Sequence, residues 1–151
     1  MNLKVSDHFK FDEILKLYRN PEDLKLAYPS ADYPVNSSEW NEWINCEKAN
    51  CFSLLFYQDE ELVSHLAIKD YHANPGLCYL CFFIIDPNHR SKGYSKEILN
   101  QTYEFVKEQL QKKDLWLVVS EENPIAHGLY TKEGFLQIDT RPGGIRMKKR
   151  L

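Results

Sequence analysis

The sequence predicts a mixed α/β domain, and three observations carry that expectation. Two β-rich runs, Cys51 to Tyr57 and Leu62 to Lys69, are separated only by Gln58-Asp-Glu-Glu61, which suits an antiparallel hairpin. The run Leu77 to Ile85 is apolar at nearly every position, so it reads as a central strand covered on both faces. From residue 77 onward, strand and helix patterns alternate, and that alternation requires a mixed sheet with helices packed on it.

The elements follow in order. Leu3 to Val5 makes a short strand. Phe11, Ile14, Leu15 and Tyr18 recur at helical spacing, with Asp7 as cap. Pro21-Glu-Asp starts a second helix with proline and acids in its first turn, ending before Tyr28-Pro29. A third begins at Ser37 or Ser38 and carries Trp40 and Trp43, whose spacing suits core packing. Between these two helices, residues 28 to 36 form a loop rich in Tyr and Pro. Beyond the central strand, Ile98, Leu99, Tyr103, Val106 and Leu110 give one apolar face to a long helix from Ser91 to Lys112. Leu115 to Val119 is a strand, Asn123 to Lys132 a helix, and Phe135 to Asp139 a strand. A turn at Pro142-Gly-Gly leads to a last strand, Ile145 to Lys149, read as a sheet edge that either pairs two subunits or is protected by its cations.

The chain has 151 residues, 43% hydrophobic and 27% charged, which fits one domain over residues 1–151. A net charge of -3 argues against a protein that coats nucleic acid. No apolar run reaches the roughly 18 residues needed to cross a bilayer, and the first residues lack a signal-peptide block, so no membrane partner and a cytoplasmic location are expected. Cys78 and Cys81 form a C-x-x-C, but a strand points residues three apart to opposite faces, so no metal site is expected there. Cys46 and Cys51 read as ordinary thiols of a reducing compartment.

Two segments carry chemistry. Arg90-Ser91-Lys92-Gly93-Tyr94-Ser95 lies between a buried strand and a long helix, where backbone N–H groups lack intrahelical partners and attract anions. Gly93 lets the backbone come close to a phosphate, small Ser95 avoids a clash, and Arg90 and Lys92 add positive charge. The bland alternative is an ordinary helix start. No Walker loop or dinucleotide-binding fingerprint occurs. In the second segment, Asn123, His127 and Tyr130 fall on one helical stripe, Ala126 and Leu129 can face the sheet, and Gly134-Phe135 closes the helix.

Asn123-x-x-Ala126-x-x-Leu129-Tyr130-x-x-x-Gly134-Phe135 resembles the tyrosine helix of the GNAT acetyltransferases. Arg90-x-x-Gly93-x-Ser95 resembles their phosphate loop, with Ser95 in place of the usual Gly or Ala. The resemblance implies the GNAT fold: a mixed, mostly antiparallel sheet of six to seven strands, helices on both faces, splayed between the fourth and fifth strands. It also implies acetyl-CoA as co-substrate, with no metal. Ile84, Ile85, Asp86, Arg90, Ser91, Lys92, Gly93, Tyr94, Ser95, Asn123, Ala126 and Tyr130 would hold it. Asn123 would hold the pantetheine arm, the Ile85 N–H would polarise the thioester carbonyl, and Tyr130 would protonate the departing thiolate as general acid.

The base that takes the proton of the attacking amine is not named by the sequence. Asp86, Glu121 and Glu122 are the candidates, and an ordered-water relay is the alternative. Tyr28 and Tyr33 are candidate substrate-binding residues. The implied function is N-acetyl transfer to a primary amine, a small-molecule acceptor being favoured, with the protein a monomer or homodimer. A protein N-terminal or lysine acetyltransferase and a non-catalytic acyl-CoA sensor are the rivals.

Overall fold

The computed structural model describes residues 1–29, 31, 33–74 and 76–151. Seven strands form one sheet in the order β1-β2-β3-β4-β5-β7-β6. β1 (Asn2–Ser6), β2 (Ala49–Gln58), β3 (Glu61–Tyr71) and β4 (Cys78–Ile85) run antiparallel to one another. β5 (Asp114–Val119), β7 (Gly144–Arg150) and β6 (Leu136–Arg141) form a second antiparallel set. The two sets join through a parallel contact of β4 and β5, which pair only at Tyr79 and Trp116. Toward their C-terminal ends the two strands part, as the resemblance implies.

Helices cover both faces. α1 (Phe11–Ile14), α2 (Pro21–Ala27) and α3 (Ser37–Ile44) pack on one side, around Phe9, Leu17, Trp40, Leu55 and Phe82. α4 (Tyr94–Glu104) and α5 (Pro124–Lys132) cover the other, around Leu54, Leu66, Leu80, Ile98, Leu117 and Phe135. α4 continues into a wider π-helical turn, Phe105–Gln109, which keeps Val106 in the core. Among the described residues, no helix is long and apolar enough to cross a membrane.

The hairpin between β2 and β3 turns on Asp59 and Glu60, both with positive φ, which matches the strand twist at a two-residue connection. Helix starts differ from expectation. α1 has no side-chain cap, because its N-cap position is taken by Lys10, whose side chain cannot accept a hydrogen bond, and Asp7 lies three residues earlier, against the His8 ring at 3.0 Å. α3 is capped by Asn36, whose side-chain oxygen accepts from the Glu39 N–H, and not by Ser37 or Ser38. α2 starts at Pro21, as read, with Asn20 accepting from the Asp23 N–H at 2.9 Å.

The last strand is a correction. β7 lies inside the sheet between β5 and β6, so Ile145 to Lys149 is not an edge. Its cations serve its own neighbours: Arg146 lies over the Trp116 ring at 4.6 Å, and Lys149 lies over Tyr103 and donates to the Glu133 carbonyl. The edges are β1 and β6, and β6 leaves Leu136 and Ile138 exposed.

β4 contains the feature that shapes the site. Between its pairings with His65 and Ala67 the strand carries one extra residue, and Phe82 has φ 57, a conformation that bulky side chains rarely adopt. The bulge reverses the alternation: Cys78 and Leu80 point toward α4, whereas Phe82 and Ile84 point toward the N-terminal helices.

Candidate active site

The gap between β4 and β5 is bounded by the bulge, by the loop before α4 and by α5. Beyond Tyr79, no further β4–β5 pairing occurs among the described residues, so main-chain groups on the facing edges lack a ladder partner.

At the loop, Pro87–His89 forms a short 3-10 turn, Ser91 has φ 63, and Gly93 takes φ 79 as N-cap of α4. No side chain caps α4, so its first amides remain open to an anion. A Cβ on Gly93 would meet nothing within 4 Å; the glycine is there for its backbone angle and leaves the approach clear. Lys92 is exposed, and Tyr94 and Ser95 are half-buried. Arg90 is anchored within the protein, its Nε donating to the Ile85 carbonyl at 2.9 Å and its Nη2 to Asp23 at 3.0 Å.

On α5, Asn123 is the N-cap, its Oδ1 accepting from the Ala126 N–H at 3.1 Å. Tyr130, rather than Ala126 or Leu129, is the buried residue of this helix; the other two are half-exposed. Its ring packs edge-on against Phe135 at 5.5 Å, and Gly134 and Phe135 end the helix by donating to the Thr131 and Tyr130 carbonyls. Burial, with a smaller contribution from Cys81, raises the Tyr130 phenol pKa above its ordinary value. The hydroxyl therefore keeps its proton at neutral pH. His127 has its Nε2 buried and without a partner among the described residues.

The three acids differ. Asp86 is buried and fully engaged: one oxygen accepts from Arg19 and the other meets the His89 ring, both at 2.7 Å. His89 in turn faces Glu61 at 3.8 Å, and these three side chains are the group that could gather round a cation. Arg19 already supplies the positive charge there. Glu122 is exposed and lies 3.6 Å from Lys25 of α2; Glu121 is exposed in the same loop.

Across the sheet, Tyr28 packs on Phe82 at 4.7 Å, and Trp40 stacks on Phe82 at 4.6 Å. Both rings lean on the bulge, so the N-terminal helices and the strand gap share one residue. Tyr33 is largely exposed, and its neighbours Ser30 and Asp32 lie outside the described residues. Beneath the aromatics, His65 donates to or accepts from Ser53 at 2.8 Å, and burial lowers its pKa to about 3. Burial also raises Cys51 to about 11 and Cys78 and Cys81 to about 12, which leaves little thiolate at neutral pH.

Some features had no mark in the sequence. Phe82 carries no sign of a positive φ. Asp23, read as a first-turn acid, is also the anchor of Arg90, a partner 67 residues away that spacing rules do not reach.

The family model for "Acetyltransferase (GNAT) family" matches residues 12–135. The chain belongs to that family. The PaiA N-acetyltransferase of Thermoplasma acidophilum, solved with coenzyme A, superposes with a TM-score of 0.67 at 16% identity, covering all of both chains. The spermidine N-acetyltransferase of Vibrio cholerae, solved with CoA and spermine, gives 0.72 at 20% identity over 98% of this chain and 95% of that one. The GNAT domain of S. lividans PAT gives 0.81 at 11% identity, over 99% and 89%. At such identities the likeness is one of GNAT fold. No curated protein matches this GNAT chain by sequence.

Proposed function

We propose that this GNAT domain transfers the acetyl group of acetyl-CoA to a primary amine by direct attack in a ternary complex. The observation that carries the reading is the parting of β4 and β5 beside the buried phenol of Tyr130, with the uncapped start of α4 at the gap's mouth. Acetyl-CoA supplies the activated acyl group as a thioester. The α4 amides and Lys92 hold its pyrophosphate, and its pantetheine arm lies along the free edge of β4 as an added strand, bonded at Ile85 and packed on Ile84 and Asp86, whose N–H or C=O is already bonded toward β3, with Asn123 and Ala126 of α5 on the other side. Arg90 acts there through the loop it anchors.

The Ile85 N–H polarises the thioester carbonyl, a service worth most in a gap from which water is excluded. As the amine nitrogen bonds to that carbon and the carbon–sulfur bond breaks, Tyr130 gives its proton to the departing sulfur. The amine's own proton leaves through ordered water: Asp86 has both oxygens engaged, while Glu121 and Glu122 stand in solvent at the end of that relay. A small amine is the favoured acceptor, in keeping with the spermine bound by one structural neighbour. Tyr28 lines the acceptor side.

The same engagement of Asp86 favours one rival, a sensor domain that binds acyl-CoA without turnover. Thiol release from acetyl-CoA over a panel of amines, with a calorimetric titration of CoA on the same sample, separates the two. Turnover establishes the enzyme, binding without turnover establishes the sensor, and absence of binding removes both.

A further inference from the structure

On the face of the N-terminal helices, a pocket of about 330 Å³ opens beside the point where β4 and β5 part. Tyr79, which makes the single pairing with Trp116, stands in its wall, and Cys81, next to the bulge, forms part of its floor. Its remaining apolar lining is Trp43, Tyr71 and Leu77, and its charged groups are Lys69 and Arg141.

The charges decide what fits. Lys69 holds its ammonium 4.9 Å over Trp43 and 5.6 Å over Tyr71 and has no ion-pair partner among the described residues. Arg141 stands 4.0 Å from Asp139, whose carboxylate is already held by two donors of Arg146 at 2.6 and 2.9 Å. No carboxylate lines the pocket among the described residues. Of the acids elsewhere on this face, Asp23 is held by Arg90, Asp86 by Arg19 and His89, and Glu13 by the Tyr57 hydroxyl, while Glu39 of α3 has a buried oxygen without a partner among the described residues but does not line the pocket. A polycation would bring several ammonium groups to a wall of cations. An amine that also carries a carboxylate would give Lys69 and Arg141 a counter-charge while its apolar body lies on the rings.

We infer that the acceptor is a carboxylate-bearing amine of amino-acid size, bound with its carboxylate at Lys69 and Arg141 and its body between Trp43, Tyr71 and Tyr79. This rests on the acetyltransferase reading above and names the acceptor class for that same site.

The test is a rate comparison across matched acceptors: the standard amino acids, their amides and decarboxylated counterparts, and spermidine, with CoA binding measured on the same sample. The expected result is kcat/KM roughly tenfold or more higher for acids than for their amides, since a charge-assisted contact is lost. Lys69→Met and Arg141→Met should each raise KM for the acid far more than for the amide, with CoA affinity held. Equal rates for acids and amides, preference for spermidine, or turnover of amides or amines but of no acid would overturn the inference alone. CoA binding with no turnover of any acceptor would remove the enzyme reading with it. Failure to bind CoA would remove the reading beneath it.

Discussion

Arg90 and Asp23 join the loop after β4 to α2 through a hydrogen bond of 3.0 Å between a half-exposed guanidinium and a buried carboxylate. Removing the cation leaves that carboxylate buried without its partner. Arg90→Gln should cost roughly 1–3 kcal/mol, a buried-pair cost discounted for the solvent around Arg90. The thermal midpoint should fall by about 2–4 °C per kcal/mol for a chain of this size. In a double-mutant cycle with Asp23→Asn, simply additive losses would show that the two residues do not act as a pair.

Tyr130→Phe removes the proposed proton donor and keeps the packing against Phe135. We expect kcat to fall by roughly 10²–10⁴ while CoA affinity stays within about twofold. Burial raises the phenol above its ordinary 10.0, so the acid form persists through the usual assay range and is lost only as pH rises beyond that value. Undiminished kcat in Tyr130→Phe would contradict the assignment, and an alkaline loss of kcat near pH 8 that disappears in that variant would contradict the raised phenol.

His65 ties stability to acid. Its folded pKa, about 3, lies below the ordinary 6.5, so between those values the unfolded chain binds the extra proton. Stability contributed by neutral His65 is present above pH 6.5 and is lost as pH falls toward 3, at about 1.4 kcal/mol per pH unit. Denaturant unfolding at pH 7 and pH 5 should show this slope. His65→Gln, which retains a partner for Ser53, should flatten it; an unchanged slope would place the titration elsewhere.

Two adjacent glycines should behave oppositely. Gly144 has φ 135, and a Cβ there would sit 2.2 Å from the Val119 carbonyl oxygen, whereas one on Gly143 would meet only a Val118 methyl at 3.8 Å. Gly144→Ala should cost roughly 3–5 kcal/mol, combining backbone strain with overpacking, and displace the β7–β5 pairing. Gly143→Ala should stay within about 0.5 kcal/mol. Equal unfolding midpoints for the two variants would refute the contrast.

Local pattern revealed the parts of this molecule whose causes are local. The apolar run of β4, the periodic face of α4 and the Asn123-to-Phe135 helix were all legible, because each is written in spacing a few residues long. Strand order was not: Ile145 to Lys149 has the charges of an edge, yet those side chains answer Trp116, Tyr103 and Asp139, which folding alone brings near. The caps of α1 and α3 were misread because several polar residues precede each helix and geometry selects among them. At the site, Gly93 was legible, while the commitment of Arg90 and Asp86 to long-range partners was not.

The single rung between Tyr79 and Trp116 gives the sheet an unusual mechanical character. Four strands on one side and three on the other are two plates meeting at a corner, and side chains rather than main-chain bonds carry force from one to the other. An extended occupant bonded to both lips would complete the missing ladder and turn two plates into one continuous span. Stiffness of the whole sheet would then depend on what lies in the gap.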